Sequence, residues 1–145
     1  MSLAGAAVHL ATIAGGPSWY RFFGAGEPLA RAAERGSPVP ALITTAIAAL
    51  LLVWAAYAFS GAGLVRRLPL LRTGLVVIST IYLVRGLFLF APTAFGRPDL
   101  SPAFIFWSSL IVLVMGLTHA AGTALAWPTL SERGAEATFS KPESP

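Results

Sequence analysis

Two histidines are the first side chains of this sequence that could do chemistry. His9 and His119 lie in two different apolar segments, and we expect them at similar depths in a membrane. A histidine from each of two helices can ligate the iron of a haem b, so a haem-bearing electron carrier is one hypothesis. The simpler interpretation is a histidine bonded to a nearby backbone carbonyl or threonine, and the sequence itself requires no cofactor.

A metal site has less support than haem. The chain contains no cysteine, and two histidines without thiolate or carboxylate companions are a poor match to a zinc or copper site. We therefore predict no metal ligands.

A second group of candidate residues centres on Arg85, which lies inside an apolar segment with Tyr82 one turn before it. An arginine at the centre of a membrane helix costs about 2.5 to 3.5 kcal/mol, so it faces a partner or extends toward the headgroups. Glu27 and Glu34, which share a short polar stretch with Arg31, are the expected counter-ions. Together these groups suit an amphiphilic ligand with a polar or anionic head.

The composition indicates which elements must position these residues. Of 145 residues, 56% are hydrophobic and 11% are charged, and the mean hydropathy is +0.74. These values are typical of an integral membrane protein. We predict an all-α fold, a single four-helix bundle over residues 1–130, with spans at about 3–23, 39–59, 70–90 and 103–127.

Local signals refine this prediction. The Gly15-Gly16-Pro17 triplet predicts a kink in the first span. Pro28 and Gly36 mark the start and end of an amphipathic interfacial helix over about 27–35. The polar residues 131–145 are expected to form a disordered tail.

Orientation follows from the arginines of the short loops. Arg66, Arg67 and Arg72 lie between the second and third spans, which favours a cytoplasmic location for that loop and for both termini. The excess of arginine over lysine and the abundant alanine suggest a bacterial inner membrane. The basic residues are spread over several loops, which argues against nucleic-acid binding.

No acidic residue lies in a predicted span, and no hydrolase, metalloprotease, P-loop or dinucleotide motif is present in the sequence. We therefore expect a non-catalytic membrane protein that binds a lipid-like ligand or serves as an accessory subunit of a larger complex. Its expected partners are membrane lipids, with a homo-oligomer as a further option. The alternative is an intramembrane enzyme acting on a lipid headgroup.

Overall fold

The computed structural model describes residues 1–91 and 100–139, with side chains through residue 130. This part of the chain is all-helical. It contains five α-helices and no strand: α1 (Ser2–Phe22), α2 (Glu27–Glu34), α3 (Val39–Gly61), α4 (Leu71–Gly86) and α5 (Pro102–Phe139). A 3-10 turn, Leu87–Leu89, extends α4.

Three segments are long and apolar enough to cross a membrane: Val39–Gly61, Leu71–Leu89 and Pro102–Leu130. They match the second, third and fourth predicted spans. The first predicted span, α1, is not among them, because glycines, His9 and Pro17 dilute its apolar residues. A membrane protein with three such helices is therefore supported, whereas a fourth crossing remains a prediction.

The predicted kink in α1 is confirmed. Gly16 has φ 68° and ψ −154°, which interrupts the helix between a longer first part and the short part that begins at Pro17. Only glycine adopts such angles without strain. The short helix predicted at about 27–35 is also present as α2, which begins at Glu27 after Gly26 (φ 96°) and ends at Glu34, close to the predicted bounds.

Successive long helices run in opposite directions, so segments distant in sequence lie together at each end of the bundle. The end that carries α2 also holds the last turn of α1, the first turn of α3 and the start of α5, where Phe104 lies against Gly24. We call it the α2 end. The opposite end holds the loop at 62–70 and is called the loop end.

Helix α1 does not run the whole length of its neighbour α3. Gly5 faces Leu51, which lies ten residues before α3 ends at Gly61. At 1.5 Å per residue, α3 continues for about 15 Å beyond this contact, whereas the residues before Gly5 cover about 6 Å. The first residues of α1 consequently lie among the side chains of α3, α4 and α5 and well short of the loop end.

The C-terminal part of the chain continues α5 as far as Phe139. Residues 131–139 of the expected disordered tail are therefore helical, and residues 140–145 lie outside the described residues.

Candidate functional site

Arg85 turns toward α5 and not toward α2. Its guanidinium donates hydrogen bonds to Ser109 Oγ at 3.0 Å and to Ser108 Oγ at 3.5 Å. Ser109 is fully buried, with 0% of its surface exposed, and Arg85 itself is half-buried. Arg85 thus points toward α5, in agreement with the interpretation that it faces a partner and not the headgroups.

The expected pairing of Arg85 with Glu27 or Glu34 is not formed. In the described part of the chain, the salt bridges of both glutamates are made with Arg21 and Arg31. The physical reason is the turn after α1, which folds α2 back so that Arg21 lies 2.8 Å from a carboxylate oxygen of each glutamate. Arg31, four residues after Glu27, adds a bond of 2.9 Å.

This charged network ties α2 to the end of α1. Glu27 accepts two bonds from Arg21 and one from Arg31, and these hydrogen bonds lower its pKa from an ordinary 4.5 to about 2. All these side chains are substantially exposed, so the network positions α2 against the end of α1 and is screened by solvent.

Tyr82 belongs to a different cluster from Arg85. Its hydroxyl donates a hydrogen bond of 3.0 Å to Ser2 Oγ, its ring packs edge-on against Trp54, and its centroid lies 5.2 Å from that of His119. Tyr82 and Ser2 are 5% and 2% exposed. The side chains of α1, α3, α4 and α5 therefore meet here.

His119 completes this cluster. Its Nδ1 donates to the Met115 carbonyl at 3.1 Å, because a carbonyl can only accept. This leaves Nε2 to accept a bond of 3.4 Å from the Ser2 hydroxyl. Tyr82, Ser2 and His119 thus form a directional chain of hydrogen bonds inside the bundle.

His9 is not brought level with His119. Its Nδ1 donates to Gly5 O at 2.8 Å on its own helix, whereas His119 is level with Ser2, two helical turns earlier in α1. The two histidines lie at different depths because α1 begins between α3, α4 and α5, short of the loop end, and not level with the loop. Each histidine bonds to the backbone of its own helix, and a haem held by both remains a prediction.

A groove lies beyond the first residue of α1, between the loop-end halves of α3, α4 and α5. It has a volume of about 250 Å³. Its walls include the small residues Ala58, Gly61, Gly122 and Ala126, with Leu75 and His119. A Cβ placed on Gly122 would meet no atom within 4 Å, so the wall there is open.

The polar side chains of this groove are already bonded within α5. Thr118 donates to the Val114 carbonyl at 2.7 Å, Thr123 donates to the His119 carbonyl at 2.8 Å, and His119 is engaged as described. The groove therefore presents mainly hydrocarbon to an occupant.

The loop at 62–70 follows the groove wall at Gly61 and Ala62 and is held in place by hydrogen bonds. Ser60 Oγ accepts from the Leu68 N–H at 3.0 Å and donates to the Arg66 carbonyl at 3.2 Å. Arg67 donates to the Leu130 carbonyl of α5 at 3.0 Å. Arg72 lies over the Trp127 ring, 4.2 Å from its centroid.

Comparison with known proteins gives no relative for this arrangement: no family model, curated protein or solved structure matches the chain. Within the described residues, no three His, Asp or Glu side chains are grouped so that they could hold a metal ion.

Sequence reasoning missed several residues of these clusters. Ser108 and Ser109 had a usable signal. They are adjacent polar residues near the start of the fourth predicted span, and Arg85 lies equally near the end of the third, so antiparallel helices place them at the same depth. Arg21 also had a signal, as a basic residue three positions before the Gly24-Ala25-Gly26 turn that leads to Glu27. Ser2 and the groove had none, since both depend on how far α1 reaches along α3.

Proposed function

We propose that this chain is a non-catalytic integral protein of the bacterial inner membrane that holds the apolar part of a lipid-like amphiphile in the groove between α3, α4 and α5. In this proposal α1 supplies a fourth membrane helix, the loop at 62–70 and the C-terminus lie on the cytoplasmic side, and the N-terminus points toward that side from between the helices.

The observation that supports the proposal is the groove itself. Its small-residue walls surround a volume of about 250 Å³, slightly below the range of about 300 to 1,000 Å³ that is typical of sites for whole small molecules. A stretch of hydrocarbon chain fits such a space. Because the wall hydroxyls and His119 are bonded within the protein, an occupant gains by covering apolar surface rather than by new hydrogen bonds.

Access to the groove is lateral. The surrounding helices expose large apolar side chains, including Leu52 on α3, Val77 on α4 and Leu117 on α5. In a membrane these surfaces face lipid, so an acyl or isoprenoid chain reaches the groove without crossing water.

Filling the groove tests the proposal. Gly122→Leu places a side chain in open space, whereas Ala121→Leu adds the same bulk at the neighbouring exposed position outside the groove walls. We expect protein purified in mild detergent to retain lipid in the wild type and in Ala121→Leu, and to lose most of it in Gly122→Leu, measured by mass spectrometry of extracted lipids.

Thr118→Phe, on the same wall, is a second groove-filling variant in case Gly122→Leu is poorly folded. Circular dichroism and size-exclusion chromatography establish folding in each case. Equal lipid retention in all folded variants would show that the groove is not a ligand site.

A further inference from the structure

The position of the basic loop relative to the groove indicates which class of lipid binds. We propose that the groove takes one acyl chain of an anionic phospholipid whose phosphate lies at the loop end against Arg66. This inference rests on the proposed function and adds the chemistry of the headgroup.

The loop holds the Arg66 backbone against the last turn of α3, part of which forms the groove wall. Gly61 and Ala62 form part of the groove wall, and the adjacent Ser60 holds the Arg66 carbonyl at 3.2 Å. The same Ser60 hydroxyl accepts from the Leu68 N–H, so the backbone on both sides of Arg67 is fixed. Arg66 therefore belongs to a segment that is anchored to the helix turn next to the groove wall.

The three arginines of the loop and the first turn of α4 have different partners. Arg67 donates to the Leu130 carbonyl, and Arg72 stacks on Trp127. Within residues 1–91 and 100–130, the side chain of Arg66 makes no hydrogen bond or salt bridge, and it is exposed. A guanidinium with this freedom can form two parallel hydrogen bonds to a phosphate.

Charge in the segment from the loop to the first turn of α4 is one-sided, whereas α5 at the same end continues past Leu130 into Glu132, Arg133 and Glu136. The loop and the first turn of α4 carry Arg66, Arg67 and Arg72, and no acidic residue lies between Leu51 and Ala91. At the α2 end Glu27 and Glu34 form salt bridges with Arg21 and Arg31. The loop and the first turn of α4 therefore form a basic segment, following the groove wall, that can attract anionic lipid.

The acyl-chain site in the groove and the phosphate site at Arg66 depend on each other. The side chains of the groove wall offer hydrocarbon contacts for a chain, and its polar side chains, Thr118, His119 and Thr123, already have hydrogen-bond partners, so we place the charged head outside it. The nearest charged groups along α3 and its following loop are Arg66 and Arg67. A lipid with its chain beside His119 and Gly122 and its phosphate at the membrane surface satisfies both requirements.

Native mass spectrometry of the full chain in a neutral detergent tests this inference, with phosphatidylglycerol or phosphatidylcholine of identical acyl chains added in turn. We expect the wild type to bind phosphatidylglycerol more tightly. Arg66→Gln should lower phosphatidylglycerol binding about fivefold and leave phosphatidylcholine binding unchanged. Arg35→Gln is the matched control, because Arg35 is equally exposed but lies at the α2 end.

The outcomes separate this inference from the proposed function. If Gly122→Leu blocks both lipids and the wild type binds them equally, the groove is a lipid site without headgroup selection, and the inference is wrong. Equal losses in Arg66→Gln and Arg35→Gln would also contradict it. Binding of phosphatidylglycerol that survives Gly122→Leu, or that inorganic phosphate displaces, would assign the anion to the surface alone and overturn it.

Discussion

Gly116 of α5 lies so close to Leu83 of α4 that a Cβ on Gly116 would be 2.9 Å from the Leu83 backbone nitrogen. The relationship is repeated one turn away, where a Cβ on Gly86 would lie 2.6 Å from the Leu113 Cα. Each helix thus contributes a glycine to a backbone contact. Close approach through small residues is the main way in which membrane helices gain packing energy.

We predict that Gly116→Ala and Gly86→Ala each lower the free energy of unfolding by about 2 kcal/mol, because backbone atoms cannot move aside as a flexible side chain can. Unfolding by sodium dodecyl sulfate in mixed micelles, followed by circular dichroism, measures the change. Gly122→Ala is the control, since its Cβ would meet nothing within 4 Å. Equal stability of all three variants would show that α4 and α5 are farther apart.

The bonded chain Tyr82–Ser2–His119 leads to an ordered pair of predictions. Tyr82→Phe removes one donor and leaves Ser2 bonded to His119, so we expect the free energy of unfolding to fall by about 1 kcal/mol. Ser2→Ala leaves both the Tyr82 hydroxyl and His119 Nε2 without this partner, so we expect the free energy of unfolding to fall by about 2 kcal/mol. The same unfolding assay measures both changes.

Thr80→Val is the control for this pair, because the exposed Thr80 hydroxyl bonds only within its own helix, to Val76. It should change stability less than either variant. If Tyr82→Phe proves more damaging than Ser2→Ala, Ser2 is not the link between the two rings.

The parts of the fold that sequence analysis predicted depend on local chemistry. The kink at Gly16 and the bounds of α2 follow from glycine and proline positions, whose backbone preferences act within a few residues. The apolar run of α3 similarly defines its own length. Each of these features is specified by residues adjacent in sequence.

The parts that could not be predicted depend on helix rotation and depth. In a membrane both the lipid-facing and the inward faces of a helix are apolar, so periodicity does not reveal which face is buried. The direction of Arg85 toward Ser109, and the position of Ser2 between Tyr82 and His119, are consequences of packing among distant segments. Sequence spacing alone gave Glu27 the wrong partner.

The Glu27 network leads to a prediction on pH. Its pKa is lowered to about 2, mainly by the hydrogen bonds from Arg21 and then by those from Arg31. A carboxylate with a depressed pKa stabilises the folded state above its ordinary value of 4.5, and that stabilisation is lost as the pH falls from about 4.5 toward 2. The attachment of α2 to α1 should therefore be constant near neutral pH.

Nuclear magnetic resonance of the Glu27 carboxyl carbon in micelles measures this titration directly. We expect a midpoint near 2 in the wild type and a clear rise toward 4.5 in Arg21→Gln. Arg35→Gln, which removes an equal charge from the same short helix region, should leave the midpoint close to the wild-type value. A wild-type midpoint near 4.5 would show that the bonds to Arg21 are not maintained.

Leu70, directly before α4, has a left-handed backbone conformation with φ 51°. Such a conformation costs a non-glycine residue about 1 to 2 kcal/mol, and more for a β-branched one. We therefore predict that Leu70→Gly raises the free energy of unfolding by up to about 1 kcal/mol and that Leu70→Val lowers it by about 1 kcal/mol.

Leu64→Gly is the matched control: Leu64 is 72% exposed, against 78% for Leu70, but its φ is not positive. Thermal unfolding in detergent should separate Leu70→Gly from Leu64→Gly, and a shift of the same sign and size in both would mean that Leu70 carries no backbone strain.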